Sequence, residues 1–551
     1  MMNRGVGGVG GVVLGGIVRR VLAGVGFGLG LLLANGAMAA ESWLYAKTAN
    51  FEVLSSTTER EAKALVERLE LFRENFSEVL PGPPFHQKRI TLVLFNRDKE
   101  FAPYRPMRDG REQAHLKSIV FAHEDEVVIG LCADGSVRER SASLYSSYVS
   151  LLSRWRGYNL PPWLEAGLSG FYETIEIEES VVTVGRKNRE YVDMLNSVRW
   201  LHLEDVLVVN RDSAEHGKVR YHAQAWALVH YLLMTSPEET RWKNLNRLIA
   251  VLQQGVKSRN ALQVVYGKSA EEIGMDVQHY VKTGKYAVQA FPKSVRGGRT
   301  AVAFRAATEF ERELALVNLR WRSRKGGGES YRMFQLAEKE PGSPRPHEVL
   351  GSIALGEGER HQAETHWREA VRLGTDNPVV PVWLAQTSLG QSLVDVSAGY
   401  RLPEGDAAEL RGWLDRAVAL DENYAEAWDW LALTEAFSAE PRSEVIRNLQ
   451  TKREAWGSRP RVLAALALIA LRAGNGEVAE ALADQVLKDP MLGMRPSGEA
   501  AMRMALAETR GLGGLWTPYV DKGSEVIALA KAVKVRALEE KARAHNRARA
   551  K

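Results

Sequence analysis

The sequence predicts an α+β domain followed by an all-α repeat solenoid. Two observations carry that reading. Over residues 41–292, short apolar runs of strand type come first and helical runs follow. From about Thr308 the chain is helix after helix, with small and large apolar residues recurring at about 34 residues. At 551 residues the chain also exceeds what one hydrophobic core serves.

Residues 1–40 carry Arg4, Arg19 and Arg20 and no acids. A glycine-rich apolar run over 21–33 leads to "ANGAMAA", where Ala37 and Ala39 stand in the small-x-small pattern of a signal-peptidase site. This predicts a secretory signal peptide and an exported chain, in the periplasm or cell envelope of a bacterium. An uncleaved anchor is the alternative. Without those three arginines the remainder has 70 basic and 68 acidic residues. That near-neutral balance excludes general nucleic-acid binding, which needs a strongly basic surface. The single cysteine, Cys132, allows no internal disulfide and no thiolate metal cluster. Its place in "VVIGLC" predicts a buried structural thiol.

Within 41–292, "FEVLSS" reads as a strand. "TEREAKALVERLELFRENFSEVL" has helical apolar spacing, with Thr58 and Glu61 placed to cap it, and "PGPP" stops it. "RITLVLF", "SIVFA" and "EVVIGLC" are strands, the last two joined by the acidic turn "HEDE". "SASLYSSYVSLLSRWRGYNLPPWLEAGLSGFYET" reads as helix, loop and helix. "VRYHAQAWALVHYLLM" and "WKNLNRLIAVLQQG" are further helices. Residues 293–307 read as a linker and 511–551 as a basic, solvated helical tail, with a weak membrane-surface or acidic contact as its minor role.

The second half, 308–510, resembles tetratricopeptide repeats. In "HEVLGSIALGEGERHQAETHWREAVRLGTDNP" the packing positions hold Leu350, Gly351, Ala354, Gly358, Ala363, Trp367, Ala370 and Pro378. Ala337 falls 33 residues before Ala370. Ala417, Trp428, Leu431 and Ala432, then Ala467, Gly474, Ala479 and Pro490, mark later units. The insertion "QSLVDVSAGYRLPEGDAA" breaks the period. The resemblance implies a solenoid that binds a protein or peptide in its concave face.

The first domain resembles the peptidase MA-like, or gluzincin, zinc metallopeptidases, most specifically in "LPPWLEAGLSGFYE" and "YHAQAWALVHYLL". In that family an H-E-x-x-H helix precedes the proline pair, and a glutamate in the next helix completes the zinc site. Matching Tyr148 to the family's frequent tyrosine places Ser146 and Ser150 at the histidine positions, Ser147 at the catalytic glutamate and Ala166 at the third ligand. Zinc is the family's cofactor. Here none is expected, because neutral serine hydroxyls are poor ligands and Glu165 lies about 100° round the helix from the required direction. The histidines offer no substitute: His123 lies between strands, His361 and His366 are five apart, and His222 and His230 are eight apart. The serine-rich helix has no G-x-S-x-G elbow.

Tyr148, Trp163, Glu165, Phe171 and Tyr172 are candidates to line a remnant peptide cleft, with core packing as the alternative for the aromatics. The whole reads as a non-catalytic pseudo-metallopeptidase fused to a binding solenoid, a scaffold in the cell envelope. A hydrolase with a non-standard site is the alternative. A third reading has the first domain only supporting the solenoid.

Overall fold

The computed structural model describes residues 43–79, 88–108, 111–113, 116–134, 144–145, 148–149, 151–153, 160–178, 181–211, 213–292, 302–323, 328–393, 399–451, 459–488 and 524–549. The expected signal peptide lies outside them. So do Ser146, Ser147 and Ser150.

Alternation along the strands builds a sheet that is buried on both faces. The strands are β1 (Leu44–Lys47), β2 (Glu52–Ser55), β3 (Arg89–Phe95), β4 (Met107–Arg108), β5 (Arg111–Glu112), β6 (Ser118–Ala122), β7 (Glu126–Cys132), β8 (Glu176–Ile177), β9 (Val181–Val184), β10 (Gln289–Pro292) and β11 (Arg305–Ala306). Six of them form one sheet in the order β11-β1-β2-β3-β7-β6. β3 runs parallel to both β2 and β7, and the other pairs are antiparallel. A parallel β2–β3 pair needs a crossover, which α1 (Glu59–Val79) supplies. Ala62, Leu65, Val66, Leu69 and Phe72 place one face of α1 on the side of the sheet lined by Val53, Leu92, Leu94, Val127 and Ile129. The alternate residues Leu54, Val93, Phe95, Val128 and Cys132 face the other way.

Among the described residues, eight further unbroken α-helices follow in the first half: α2 (Asp98–Phe101), α3 (Pro162–Tyr172), α4 (Arg189–Ser197), α5 (Leu203–Val208), α6 (Val219–Met234), α7 (Glu238–Gln253), α8 (Ser258–Tyr266) and α9 (Ala270–Thr283). The solenoid then contains α10 (Glu309–Ser323), α11 (Glu329–Lys339), α12 (Arg345–Glu357), α13 (Arg360–Arg372), α14 (Val379–Leu393), α15 (Glu404–Leu420), α16 (Ala425–Phe437), α17 (Ser443–Thr451), α18 (Pro460–Arg472) and α19 (Gly476–Leu487). A last helix, α20 (Ser524–Arg549), follows. The small-residue positions do what the repeat requires. A Cβ on Gly351 of α12 would lie 2.2 Å from the Trp367 indole of α13, so only glycine admits this pairing. Trp367 in turn packs on Trp383 of the next unit, ring centroids 5.0 Å apart.

Two boundaries differ from those expected. Part of the expected linker belongs to the fold: β11 pairs with β1, and Val302 is buried with the first core. The expected solvated tail is instead a cap over its first half. Val526, Leu529, Ala530, Val533 and Ala537 of α20 bury against the last repeat, and Lys534 and Lys541 pair with Asp484 and Glu480. Those are amphipathic-helix positions at spacings of three and four, masked in sequence by the density of basic residues. Beyond Leu538 the helix is exposed.

The outer face of the sheet is covered by the solenoid itself, for Leu319 of α10 is buried among Trp43, Leu54, Phe95 and Val128. Beside it lies a buried charge network. Glu126, at the start of β7, accepts from Thr91 Oγ1 (2.5 Å), Asn318 Nδ2 (2.8 Å) and Arg345 Nη2 (3.0 Å). Asp125 accepts from Arg322 Nη2 (2.9 Å) and Ser352 Oγ (3.2 Å). Glu348 of α12 accepts from Arg89 Nη1 (2.7 Å), Arg345 Nη1 (2.9 Å) and the Thr375 hydroxyl. Burial pushes the Glu126 and Glu348 carboxyls up. Burial also acts on Asp125, but Arg322 and His123 outweigh it and hold that carboxyl low. Three buried carboxylates facing three arginines are tolerable only as a completed set, because each alone would be an unpaired charge out of water. Sheet and solenoid thus belong to one compact unit spanning Ser42–Lys551.

Candidate functional site

Pro162 opens α3 at a position where a missing N–H costs nothing, and the helix crosses α6 at close range. A Cβ on Gly167 would lie 2.4 Å from Val229 Cγ2 and 2.5 Å from the Ala225 carbonyl. One on Gly170 would lie 2.9 Å from the Tyr191 ring. The two sequence segments most specific to the family resemblance, "LPPWLEAGLSGFYE" and "YHAQAWALVHYLL", are therefore packed directly against each other. Their glycines serve that crossing.

The helix matched to the family's ligand-bearing helix is described at Leu144, Tyr145, Tyr148, Val149 and residues 151–153, all helical and buried. Tyr148 stands beside Phe51 and Phe72, and its hydroxyl accepts from Arg73 Nη1 at 2.8 Å. Ala166 is buried. Glu165 pairs with Arg211, whose Nη2 also donates to the Leu160 carbonyl at 3.2 Å. The expectation that the aromatics line a cleft is corrected. Trp163 and Phe171 have no exposed surface, and Tyr148 and Tyr172 have 2% each. Trp163 Nε1 donates to Ser258 Oγ at 3.0 Å, and Phe171 meets Tyr172, His230 and Trp242 edge-on. The reason is that α3 has core on more than one side, so residues all round it become core.

The titratable group at the end of α3 was missed in the sequence. Burial pushes the Glu173 carboxyl up to about 7, against the lowering effect of the Tyr191 and Asn188 hydrogen bonds. Nothing in the run "FYET" signals this, since it depends on where α4 packs.

The histidines are placed as follows. His230 is buried, and its Nε2 donates to the Gly185 carbonyl at 2.8 Å while its Nδ1 accepts from the Tyr280 hydroxyl at 2.9 Å. Both nitrogens are committed, and burial lowers the ring to about 4, so it is a neutral structural residue. His222 touches His216 and Tyr221, and burial, with His216 beside it, lowers it too. His366 lies not with His361 but against His347 of the neighbouring helix, Nδ1 to Nδ1 at 3.2 Å. Among the described residues, three metal-type side chains converge only at Asp98, Cys132 and Asp134. There Asp98 accepts from Lys117 Nζ at 2.7 Å and from Arg105, and these cations hold its carboxyl at about 2. The protein's own cations take the place an ion would need. Cys132 is the buried thiol the sequence predicts.

In the middle repeats two helices are enclosed over much of their length. Residues 379–387 of α14 and 427–437 of α16 are buried throughout. Their acids are held by neighbouring repeats: Asp429 by Arg459 (2.6 Å), and Glu435 by Arg411 and Arg442 (2.6 Å each). Open surface lies instead on the first helix pair. A groove of about 450 Å³ between α10 and α11 is lined by Glu309, Glu313, Val317, Arg332, Leu336 and Lys339. On the same α11, Tyr331 is 67% exposed and Phe334 45%.

No family model matches the sequence, and no curated protein matches it. Among solved structures the chain is similar to YrrB, a tetratricopeptide protein described as having an unusual peptide-binding site, at 15% identity and TM-score 0.27 over 36% of this chain and 100% of that one. It is also similar to yeast Tom70, at 10% identity and TM-score 0.19 over 69% of this chain and 75% of that one. Likeness at that level does not reach the whole fold, and the repeat character of residues 309–487 rests on the helix pairs themselves: a tetratricopeptide-type solenoid joined to an α+β sheet domain.

Proposed function

We propose that this chain is a non-catalytic scaffold that binds a protein or peptide through its solenoid, with a gluzincin-like first domain that has lost its metal chemistry. The observation that carries the binding role is the open groove between α10 and α11, together with two exposed aromatic side chains, Tyr331 and Phe334, on the same α11. Exposed aromatic side chains are common anchors of protein and peptide recognition. The loss of chemistry is supported by residue type. Ser146, Ser147, Ser150 and Ala166 supply neither a ligand for zinc nor a base for water. The first domain then acts by holding the start of the solenoid rigid, through Leu319 and the buried arginines. Export to a cell envelope is part of the same proposal and rests on residues 1–40 alone.

The test is selection of peptides from a displayed random library against the purified chain. The proposal expects binders whose affinity falls at least tenfold when Tyr331 and Phe334 are both changed to alanine. Binders indifferent to that double change, or no binders at all, would move the function elsewhere.

A further inference from the structure

The two-histidine contact between α12 and α13 lies outside the groove lining, although Phe334 touches it. His347 is the third residue of α12, and His366 lies midway along α13. Their Nδ1 atoms are 3.2 Å apart and their ring centroids 5.5 Å apart. Among the described residues no other hydrogen bond reaches either ring. The Phe334 ring packs edge-on against His366, centroids 5.2 Å apart, and fixes that side of the pair. We propose that His347 and His366 form a two-imidazole site for a divalent transition cation, held through both Nδ1 atoms.

The geometry suits it. An ion about 2.05 Å from each nitrogen would subtend about 100° across a 3.2 Å separation, between the square-planar and tetrahedral values. The charge state suits it too. Burial lowers the His347 ring, and burial with His347 beside it lowers the His366 ring to about 4. At neutral pH both are therefore uncharged, the form that binds metal. Without an ion, one Nδ1–H donates to the other ring's Nδ1. With an ion, both rings carry their proton on Nε2, so one ring changes tautomer and no proton is released. The remaining ligands are water, because Glu369, the carboxylate whose charge acts on His347, is taken by Arg372. Imidazole donors with open positions favour Cu²⁺ over Zn²⁺ in the general order of divalent affinities. Ligation across the hairpin would tie the two helices of one repeat together.

The experiment is Cu²⁺ titration of the full chain, read by calorimetry and by electron paramagnetic resonance. The expected result is one equivalent bound with a two-nitrogen imidazole signature. His347→Gln and His366→Gln should each weaken it at least tenfold and leave one imidazole. His361→Gln, at an exposed position of the same helix, should change nothing. The spectrum of the unaltered chain decides the matter even if a variant folds poorly. Absence of a two-imidazole signal there, or its persistence in both variants with native circular dichroism, would overturn the proposal and leave a plain hydrogen bond between rings.

Discussion

At the scale of single residues, the end of α3 sets a pH dependence. The Glu173 carboxyl titrates near 7 in the fold against an ordinary value of 4.5. Between those values the folded state holds more protons than the unfolded one, so stability falls as pH rises from about 4.5 to 7. The loss is on the order of 3 kcal/mol for a shift of this size. Glu173→Gln keeps an acceptor for Asn188 and Tyr191 and has no charge to bury. Its melting temperature should exceed that of the unaltered chain at pH 8 and match it near pH 4.5. An equal difference at both pH values would refute the assignment. Two glycines make a second contrast. Gly167→Ala drives a Cβ into Val229 and the Ala225 carbonyl, and should cost about 3 kcal/mol in denaturant unfolding. Gly356→Ala, on α12 with open space around it, should stabilise by up to about 1 kcal/mol.

At the scale of elements, periodicity made most of the fold legible. "RITLVLF" is β3 and "VRYHAQAWALVHYLLM" is α6, end to end, because an unbroken apolar strand and a helix that is apolar nearly all round each announce burial on more than one side. Gly351, Trp367 and Ala370 stand where the repeat puts them because helix pairs at fixed spacing leave room for little else. Other features had no local signal. β11 is two residues long and earns its place only by pairing with β1. The His347–His366 contact joins residues 19 apart across a hairpin, and no spacing within one helix reveals it. The aromatics of α3 were legible as large and apolar but not as fully enclosed, since enclosure depends on α6. The tail misled because its charges outnumber its buried residues. Its role as a cap is testable: removing residues 524–551 exposes the apolar face of α18 and α19. Limited proteolysis should then cut within 460–487 at a rate at least tenfold above that of the full chain. An unchanged rate would mean that the cap contributes nothing.

At the scale of the whole molecule, a chain with two kinds of architecture behaves as one body because polar residues join them. Arg89, Arg322 and Arg345 are spread over more than 250 positions of sequence and converge on Asp125, Glu126 and Glu348. Nothing in the sequence marks these arginines as partners of those acids, because the pairing depends on how distant elements pack. Arg322→Met leaves Asp125 and part of the Glu126 network unpaired and should destabilise by about 3–5 kcal/mol. It should also split a single calorimetric unfolding transition into two, one for the sheet domain and one for the solenoid. A single transition displaced as a whole would show that the apolar contact at Leu319 suffices. The proposed function gives this arrangement the role of a mount for a binding solenoid, without hydrolysis. The measurement that tests it most directly is digestion of an unstructured protein by the purified chain, followed with added Zn²⁺ and again with chelator. The account expects no fragments above background in either condition. Chelator-sensitive cleavage would contradict it, and would mean that a metal site capable of activating water exists in this chain.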